Sequence, residues 1–169
     1  MDRYQWSKLN GLQVGRYAEY FVKMEFTMHG FQVYTSEVDD RGIDFVVRKA
    51  QGPFYEVQVK SARGLNYVYC RKDKMPLSPE RVVTLVLFED GAEPSLFLIP
   101  SLAWEKPDAL LVDREYEGMH SKPEWGINLS RKNLPLLNAY RFADMIVELE
   151  GGLSSIQHPD SADGLVDIS

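Results

Sequence analysis

The segment Phe54–Arg63, read FYEVQVKSAR, alternates polar and apolar side chains in the manner of a β-strand. Glu56, Gln58 and Lys60 fall on one face of this strand, and its valines fall on the other. A carboxylate, an amide and an ammonium group on one face can together hold a hard cation and stabilise a neighbouring anion. A solvent-exposed face of a sheet would show the same alternation, so the choice depends on which other residues reach this face.

Asp44 is the first residue that we expect to join this polar face. A strand is predicted over residues 43–48, and a hairpin centred near Gln51 places Asp44 opposite Gln58, because the numbers of opposed residues then sum to about 102. Opposed residues have Cβ atoms about 4.5–5.5 Å apart, so both side chains could reach one cation. If Asp44 is considered alone, the alternative is a structural role, in which its carboxylate is tied to the turn that precedes the strand.

Glu19 brings a second carboxylate, from a helix predicted over residues 11–30. Apolar residues recur in this segment at spacings of three and four, and Gly30 is well placed to end the helix. Glu19 lies on the flank of the apolar stripe, where its side chain can turn toward the sheet or stay in solvent.

The order and spacing of these residues resemble the PD-(D/E)XK nuclease superfamily, and particularly its Holliday-junction-resolvase-like and Q-x-K branches. The matching motifs, which cover about residues 11–63, are Gly15-x3-Glu19-x2-Val22-x3-Phe26-x3-Gly30-Phe31, then Gly42-Ile-Asp44, then Gln58-Val-Lys60. The resemblance implies an α/β protein with the restriction-endonuclease-like fold, a mixed β-sheet flanked by helices with an αβββαβ core. It also implies a metal-dependent endonuclease that hydrolyses phosphodiester bonds in DNA.

The resemblance assigns a role to each matched residue. The catalytic residues that it implies are Glu19, Asp44, Gln58 and Lys60. The ligands that it implies for Mg²⁺ or Mn²⁺ are Asp44, the Gln58 carbonyl, the main-chain carbonyl of Val59, and Glu19 directly or through water. Gln58 stands where a carboxylate is commoner, and an amide oxygen brings no negative charge, so the site would hold its ion less tightly. Glu56, two residues earlier on the same face, is the additional acid that could compensate.

A basic segment follows the central strand, and its cations are candidates for nucleic-acid binding. These residues are Arg63, Arg71, Lys72 and Lys74. They could hold flanking phosphates, although a solvated run of charges explains them equally well. Tyr67 and Tyr69 are interleaved with them and could stack on bases, but tyrosines are also common as ordinary strand residues.

The net charge of −6 is unevenly distributed along the 169 residues. Residues 1–75 carry 12 Lys and Arg against 9 Asp and Glu, a balance of +3, so the balance of residues 76–169 is −9. An acidic total does not exclude a local cationic groove, because phosphate contacts depend on the charges near the site. The chain nevertheless lacks the strongly basic footprint of a dedicated DNA-binding protein.

The rest of the sequence predicts one domain over residues 1–152 and a flexible tail over residues 153–169. An apolar hairpin is predicted over residues 82–88 and 95–99, and a helix over residues 136–149. A single cysteine cannot form an internal disulfide, and there is no secretory pattern, so we expect the cytoplasm. The longest apolar runs are too short to span a bilayer.

Three interpretations of the function stay open from the sequence. The first is a metal-dependent DNA nuclease, in which one active site cuts one strand, so double-strand cleavage requires a homodimer or two events. The second is a non-catalytic descendant of the nuclease fold that binds nucleic acid or protein, which the neutral Gln58 and the acidic C-terminal half favour. The third is an unrelated α/β domain that matches the motifs by chance.

Overall fold

The computed structural model describes residues 3–35 and 42–151 of the chain. Its α-helices and strands, in chain order, are α1 (Gly11–Met28), β1 (Gln32–Thr35), β2 (Phe45–Arg48), β3 (Phe54–Arg63), β4 (Tyr67–Arg71), β5 (Arg81–Phe88), β6 (Ser95–Pro100), β7 (Leu111–Arg114), β8 (Glu124–Asn128) and α2 (Phe142–Gly151). Short 3₁₀ helices lie at Trp6–Lys8, Ser101–Glu105 and Leu134–Tyr140. The tail predicted at residues 153–169 lies outside the described residues.

The strands form two sheets. The first has five strands in the order β1-β2-β3-β5-β6, in which β3 and β5 are parallel and all other neighbours are antiparallel. The second has three antiparallel strands in the order β4-β8-β7. The predicted α/β class, with a mixed sheet flanked by helices, is confirmed. No helix in the described part of the chain is long and apolar enough to cross a membrane.

The hairpin of β2 and β3 has the register predicted from its loop length. Phe45 lies opposite Val57, and Arg48 lies opposite Phe54. The pairing ends at Phe45 and Val57, and Asp44 lies just beyond it, with its N–H donating to the Val57 carbonyl. The position of Asp44 opposite Gln58 stays a prediction.

Two hydrophobic cores, one on each face of the first sheet, explain the uninterrupted apolar run of β5. Val82 and Val86 belong to the core under the two α-helices, whereas Val83 and Leu85 belong to the core between the two sheets. A strand covered on both faces has no polar face to show, so its sequence does not alternate. The helix α1 contributes Val14, Ala18, Val22 and Phe26 to the first core.

The connection between β3 and β5 differs from the αβββαβ order. At the place of its second helix, the described chain forms β4, which pairs with β8 from Tyr67 opposite Asn128 to Arg71 opposite Glu124. The partner strand is distant in sequence, so local patterns in this basic segment could not show the pairing. The second sheet as a whole was therefore not predicted.

The helix predicted over residues 136–149 is wrong in its first half. A 3₁₀ helix, Leu134–Tyr140, begins there with Pro135 in its first turn, and α2 starts only at Phe142. Arg141 between them is extended, with φ −55° and ψ 131°, and its backbone forms a bridge with Phe97 of β6. This contact with the sheet edge interrupts the helix, although the apolar spacing continues through it.

Candidate functional site

The polar face of β3 lines a cavity of about 620 Å³ between β3 and β4. Gln58 and Lys60 both lie on this cavity. Val57 is buried in the core on the opposite face, and Val59 packs against the same core. The strand therefore has the two faces that its alternation predicts, and the polar face is directed at the second sheet.

Asp44 is fixed at the point where β2 begins. Its carboxylate Oδ2 accepts a hydrogen bond from the Val59 N–H at 2.5 Å, and its own N–H donates to the Val57 carbonyl at 2.9 Å. Because Phe45 and Val57 are the last pair of this ladder, β3 continues beyond β2, and the side chain of Asp44 replaces a backbone partner for Val59.

The backbone of Val59 is directed toward this same open edge. Successive residues of a strand direct their N–H and C=O groups to opposite neighbours. Glu56 donates its N–H to Glu80, and Thr84 Oγ1 donates to the Gln58 carbonyl at 3.5 Å, so the even-numbered residues of β3 face β5. The Val59 carbonyl must then face the edge at which Asp44 lies. This is the direction that the carbonyl needs in order to bind the same metal ion as Asp44.

Gln58 has a buried oxygen that lacks a donor. Its Oε1 is enclosed and accepts no hydrogen bond from the described residues. An unsatisfied buried acceptor costs about 1–3 kcal/mol, so the position favours a ligand that can be bound through this oxygen. The Asp44 carboxylate, the Gln58 amide oxygen and the Val59 carbonyl are all hard oxygens, which are the ligands that Mg²⁺ and Mn²⁺ prefer.

Few anionic ligands are available to such an ion. Among residues 3–35 and 42–151, no three His, Cys, Asp or Glu side chains are grouped so that they could hold a metal. An ion here would depend on neutral oxygens and on water, which Mg²⁺ commonly retains when it binds one or two carboxylates. A zinc site of the usual nitrogen and sulfur ligands does not fit these donors.

Glu19 lies on the other side of the first sheet. The helix α1 packs against the core that contains Val57, whereas Gln58 and Lys60 face the second sheet. The Glu19 carboxylate accepts from Arg16 one turn earlier, with 3.1 Å between Nη1 and Oε2. The structure therefore brings Gln58 and Lys60 to one face and Asp44 to the strand edge beside Val59, whereas Glu19 belongs to the helix on the opposite face.

Glu56 shares the polar face but has a structural partner. Its Oε2 accepts from Arg81 Nε at 2.8 Å and also from Arg81 Nη2. Arg81 is almost completely buried and donates a further hydrogen bond, at 3.1 Å, to the backbone carbonyl of Lys74. This ion pair neutralises Glu56, so we do not include the residue among the proposed metal ligands.

The four predicted phosphate-binding residues separate into two pairs. Arg71 and Lys74 line the cavity. Arg63 instead donates to the backbone carbonyls of Trp6 and Leu9, and so fixes the segment that precedes α1. Lys72 lies 4.0 Å above the ring of Trp125 and donates to Asp113 at 2.6 Å.

The cavity has a cationic lining in an acidic protein. Among the described residues that line it are three cations, Lys60, Arg71 and Lys74, and no carboxylate. Asp73 stands beside it and accepts from Arg71 and Lys122. The Arg71 hydrogen bond lowers the pKa of Asp73 to about 2, so this carboxylate is ionised at neutral pH. A cavity with this lining fits an anionic ligand such as a phosphate.

Cys70 is buried in the core between the two sheets, where its thiol is poorly suited to act as a nucleophile. Burial raises the pKa of its thiol to about 11, so the thiolate is scarce at neutral pH. The charge of Lys60 lowers the pKa of this thiol and the charge of Asp44 raises it, both by less than burial does. Ser61 and Asn66 also line the cavity, and no local pattern marked them because their position depends on how β3 and β4 pack.

Comparisons with known proteins support the fold. No family model matches the sequence, and no curated protein is similar to it. Among solved structures, the chain is similar to a bacterial homing endonuclease, I-Ssp6803I, with a TM-score of 0.55 and 18% sequence identity over 86% of this chain and 95% of that one. At this identity the likeness shows the fold alone, and the chain has the α/β fold of that endonuclease.

Proposed function

We propose that this protein is a metal-dependent nuclease that hydrolyses phosphodiester bonds in DNA, at the cavity between β3 and β4. The observation that carries the proposal is the buried Oε1 of Gln58, which has no donor among the described residues and lies on the same strand face as Lys60. The fold shared with a homing endonuclease supports the same reaction class.

Three oxygens of the site fit Mg²⁺ or Mn²⁺. They belong to the Asp44 carboxylate, the Gln58 side chain and the Val59 main chain. Glu19, the fourth ligand that the motif resemblance implies, belongs to the helix on the opposite face of the sheet. When bound, such an ion lowers the pKa of water and neutralises charge on phosphoryl oxygens. The hydrogen bond from the Val59 N–H holds Asp44 in position before any ion binds, which reduces the ordering required at binding.

The side chains of the cavity supply the remaining chemistry. Lys60 places an ammonium group where it can stabilise the charge that develops on the phosphoryl oxygens or orient the attacking water. Arg71 and Lys74 can hold the neighbouring phosphates and so fix the strand relative to Lys60. We propose that the partner is DNA. The cytoplasmic location and the homodimer stay predictions.

A plasmid-nicking assay with and without Mg²⁺ tests the proposal. We expect the wild type to nick only with the metal, and we expect Lys60→Ala to reduce the rate by orders of magnitude while the free energy of unfolding changes little. Lys106→Ala, which removes an exposed lysine outside the cavity, is the matched control. An equal rate for the wild type and Lys60→Ala would exclude this lysine from the reaction.

A non-catalytic nucleic-acid-binding protein of the same fold is the second candidate. The observations that favour it are the neutral Gln58 and the acidic partners of Arg71 and Lys72, which reduce the positive charge around the cavity. Calorimetric titration with Mg²⁺ separates the two, because only the nuclease requires saturable binding at the cavity. DNA binding without metal binding or cleavage would favour this second candidate.

A further inference from the structure

The second sheet forms a wall of the cavity with aromatic and cationic side chains. Tyr67, Tyr69 and Arg71 follow one another at spacings of two on β4, so they project from one face, and all three line the cavity that Gln58 and Lys60 also line. The alternate residues of β4, Val68 and Cys70, pack with the core between the two sheets, so both aromatic rings lie beside Arg71 on the outer face of β4, and the cavity reaches them around this edge strand.

Tyr67 is fixed within the protein. Its ring lies across Gly126 of β8, so closely that a Cβ atom at this glycine would collide with the tyrosine oxygen. Its hydroxyl donates to Glu124 Oε2 at 3.1 Å, and the guanidinium group of Arg114 lies 4.1 Å from the ring centroid. With these contacts on the ring and the hydroxyl, Tyr67 serves as a support for its neighbour.

Tyr69 presents an accessible ring. Its centroid lies 6.0 Å from that of Tyr67, with only 19° between the two planes, and the residue is 46% exposed. The rigid Tyr67 limits the orientations of this ring, which lowers the entropy cost of binding a flat partner against it. Arg71 projects from the same face two residues later and can hold a phosphate of the same ligand.

We infer that Tyr69 stacks on an unpaired base of the DNA strand whose phosphates lie at Lys60 and Arg71. A base inside a duplex is covered on both faces by its neighbours, so only an unpaired or extruded base can offer its face to a tyrosine. The inference rests on the proposed function, and it specifies the substrate as DNA with a single-stranded segment at the cleavage site. A cavity of about 620 Å³ lies within the usual size range for binding such a ligand.

Fluorescence anisotropy with a labelled single-stranded oligonucleotide and a duplex of the same sequence, both in EDTA, tests the inference. We expect the wild type to prefer the single strand and Tyr69→Ala to weaken its binding about 5- to 100-fold, with an unchanged slope against salt concentration. Tyr69→Phe keeps the ring, so we expect its affinity to stay within about twofold of the wild type. The matched control is Tyr34→Ala, which removes a tyrosine of 45% exposure that packs on Phe54 at the edge strand β1.

Oligonucleotides with one abasic position, moved along the strand, provide a second measurement, whose first part uses the wild type alone. One such position should weaken wild-type binding and make Tyr69→Ala no weaker than the wild type, because ring and base act as one pair. The inference would be overturned if Tyr69→Ala bound the single strand as tightly as the wild type does, or if the wild type preferred the duplex. Either result would leave the proposed hydrolysis intact. Stacking without Mg²⁺-dependent cleavage would support the inference and contradict the hydrolysis, and no DNA binding at all would contradict both.

Discussion

Gln58 is the residue whose substitution tests the proposed ion most directly. Its buried Oε1 lacks a donor among the described residues, and Gln58→Glu replaces the amide with a charged group of the same length. If an ion lies between this oxygen and Asp44, we expect calorimetry to show tighter Mg²⁺ binding, with cleavage kept or increased.

A matched control separates this effect from added charge alone. Gln51→Glu adds the same charge in the exposed turn between β2 and β3, and it should leave the affinity for Mg²⁺ unchanged. If Gln58→Glu instead lowered stability and left Mg²⁺ binding unchanged, the buried oxygen would not be a metal ligand.

Glu56 is predicted to stabilise the fold without taking part in metal binding. Glu56→Gln removes the charge that pairs with buried Arg81, so we expect the free energy of unfolding in urea to fall by about 1–2 kcal/mol while Mg²⁺ binding is unchanged. Glu150→Gln alters the more exposed pair with Lys49 and should change stability by at most about 0.5 kcal/mol. If Glu56→Gln instead bound Mg²⁺ more weakly than the wild type, Glu56 would have to be counted among the metal ligands.

The sequence predicts some of these residue positions and not others. Alternation places Gln58 and Lys60 on one face of β3, and loop length sets the register that brings Asp44 to the strand edge beside Val59. The partner of Glu56 could not be predicted, because Arg81 belongs to a strand whose parallel pairing is not visible in local patterns. Glu19 could be assigned to the flank of its helix, but not to one side of the sheet.

At the scale of elements, the turn into β2 sets the position of Asp44. Gly42 has φ +68°, and a Cβ atom there would lie 3.1 Å from Lys74 Cβ and 3.3 Å from the Lys74 carbonyl. We expect Gly42→Ala to reduce the free energy of unfolding by about 1–3 kcal/mol, because both the backbone conformation and the close approach oppose a side chain.

Gly15→Ala is the control for this substitution. Gly15 is inside α1, and a Cβ atom added there would meet nothing within 4 Å among the described residues, so alanine should stabilise the protein by about 0.5–1 kcal/mol. Urea unfolding of both variants measures the contrast. Equal effects at the two positions would mean that the turn at Gly42 tolerates a side chain.

Elements with local signals were predicted well, and those that depend on distant partners were missed. The bounds of β3 agree with its alternating segment, and α1 covers most of its predicted range. The strands β4, β7 and β8 are short and stabilise one another across long loops, so their sequences carry little sign of the sheet. The wall that holds Tyr69 therefore became visible only in the three-dimensional structure.

At the scale of the whole molecule, a cationic cavity lies in a protein of net charge −6. The overall charge repels DNA at long range, whereas the cavity attracts phosphates at short range. Binding should therefore depend on a few local contacts, and the salt dependence should be modest compared with that of a strongly basic protein.

We expect Asp73 and a bound phosphate to compete for Arg71, because the two anions would use the same guanidinium group. Arg71→Ala and Lys74→Ala should each weaken DNA binding and flatten the plot of log affinity against log salt by about one unit, whereas Lys106→Ala should change neither. Asp73→Asn should act in the opposite direction, because it releases Arg71 and Lys122 from the carboxylate that they share. Anisotropy titrations over a series of salt concentrations measure both quantities, and weaker binding by Asp73→Asn would show that the carboxylate positions Arg71 for DNA and does not compete with it.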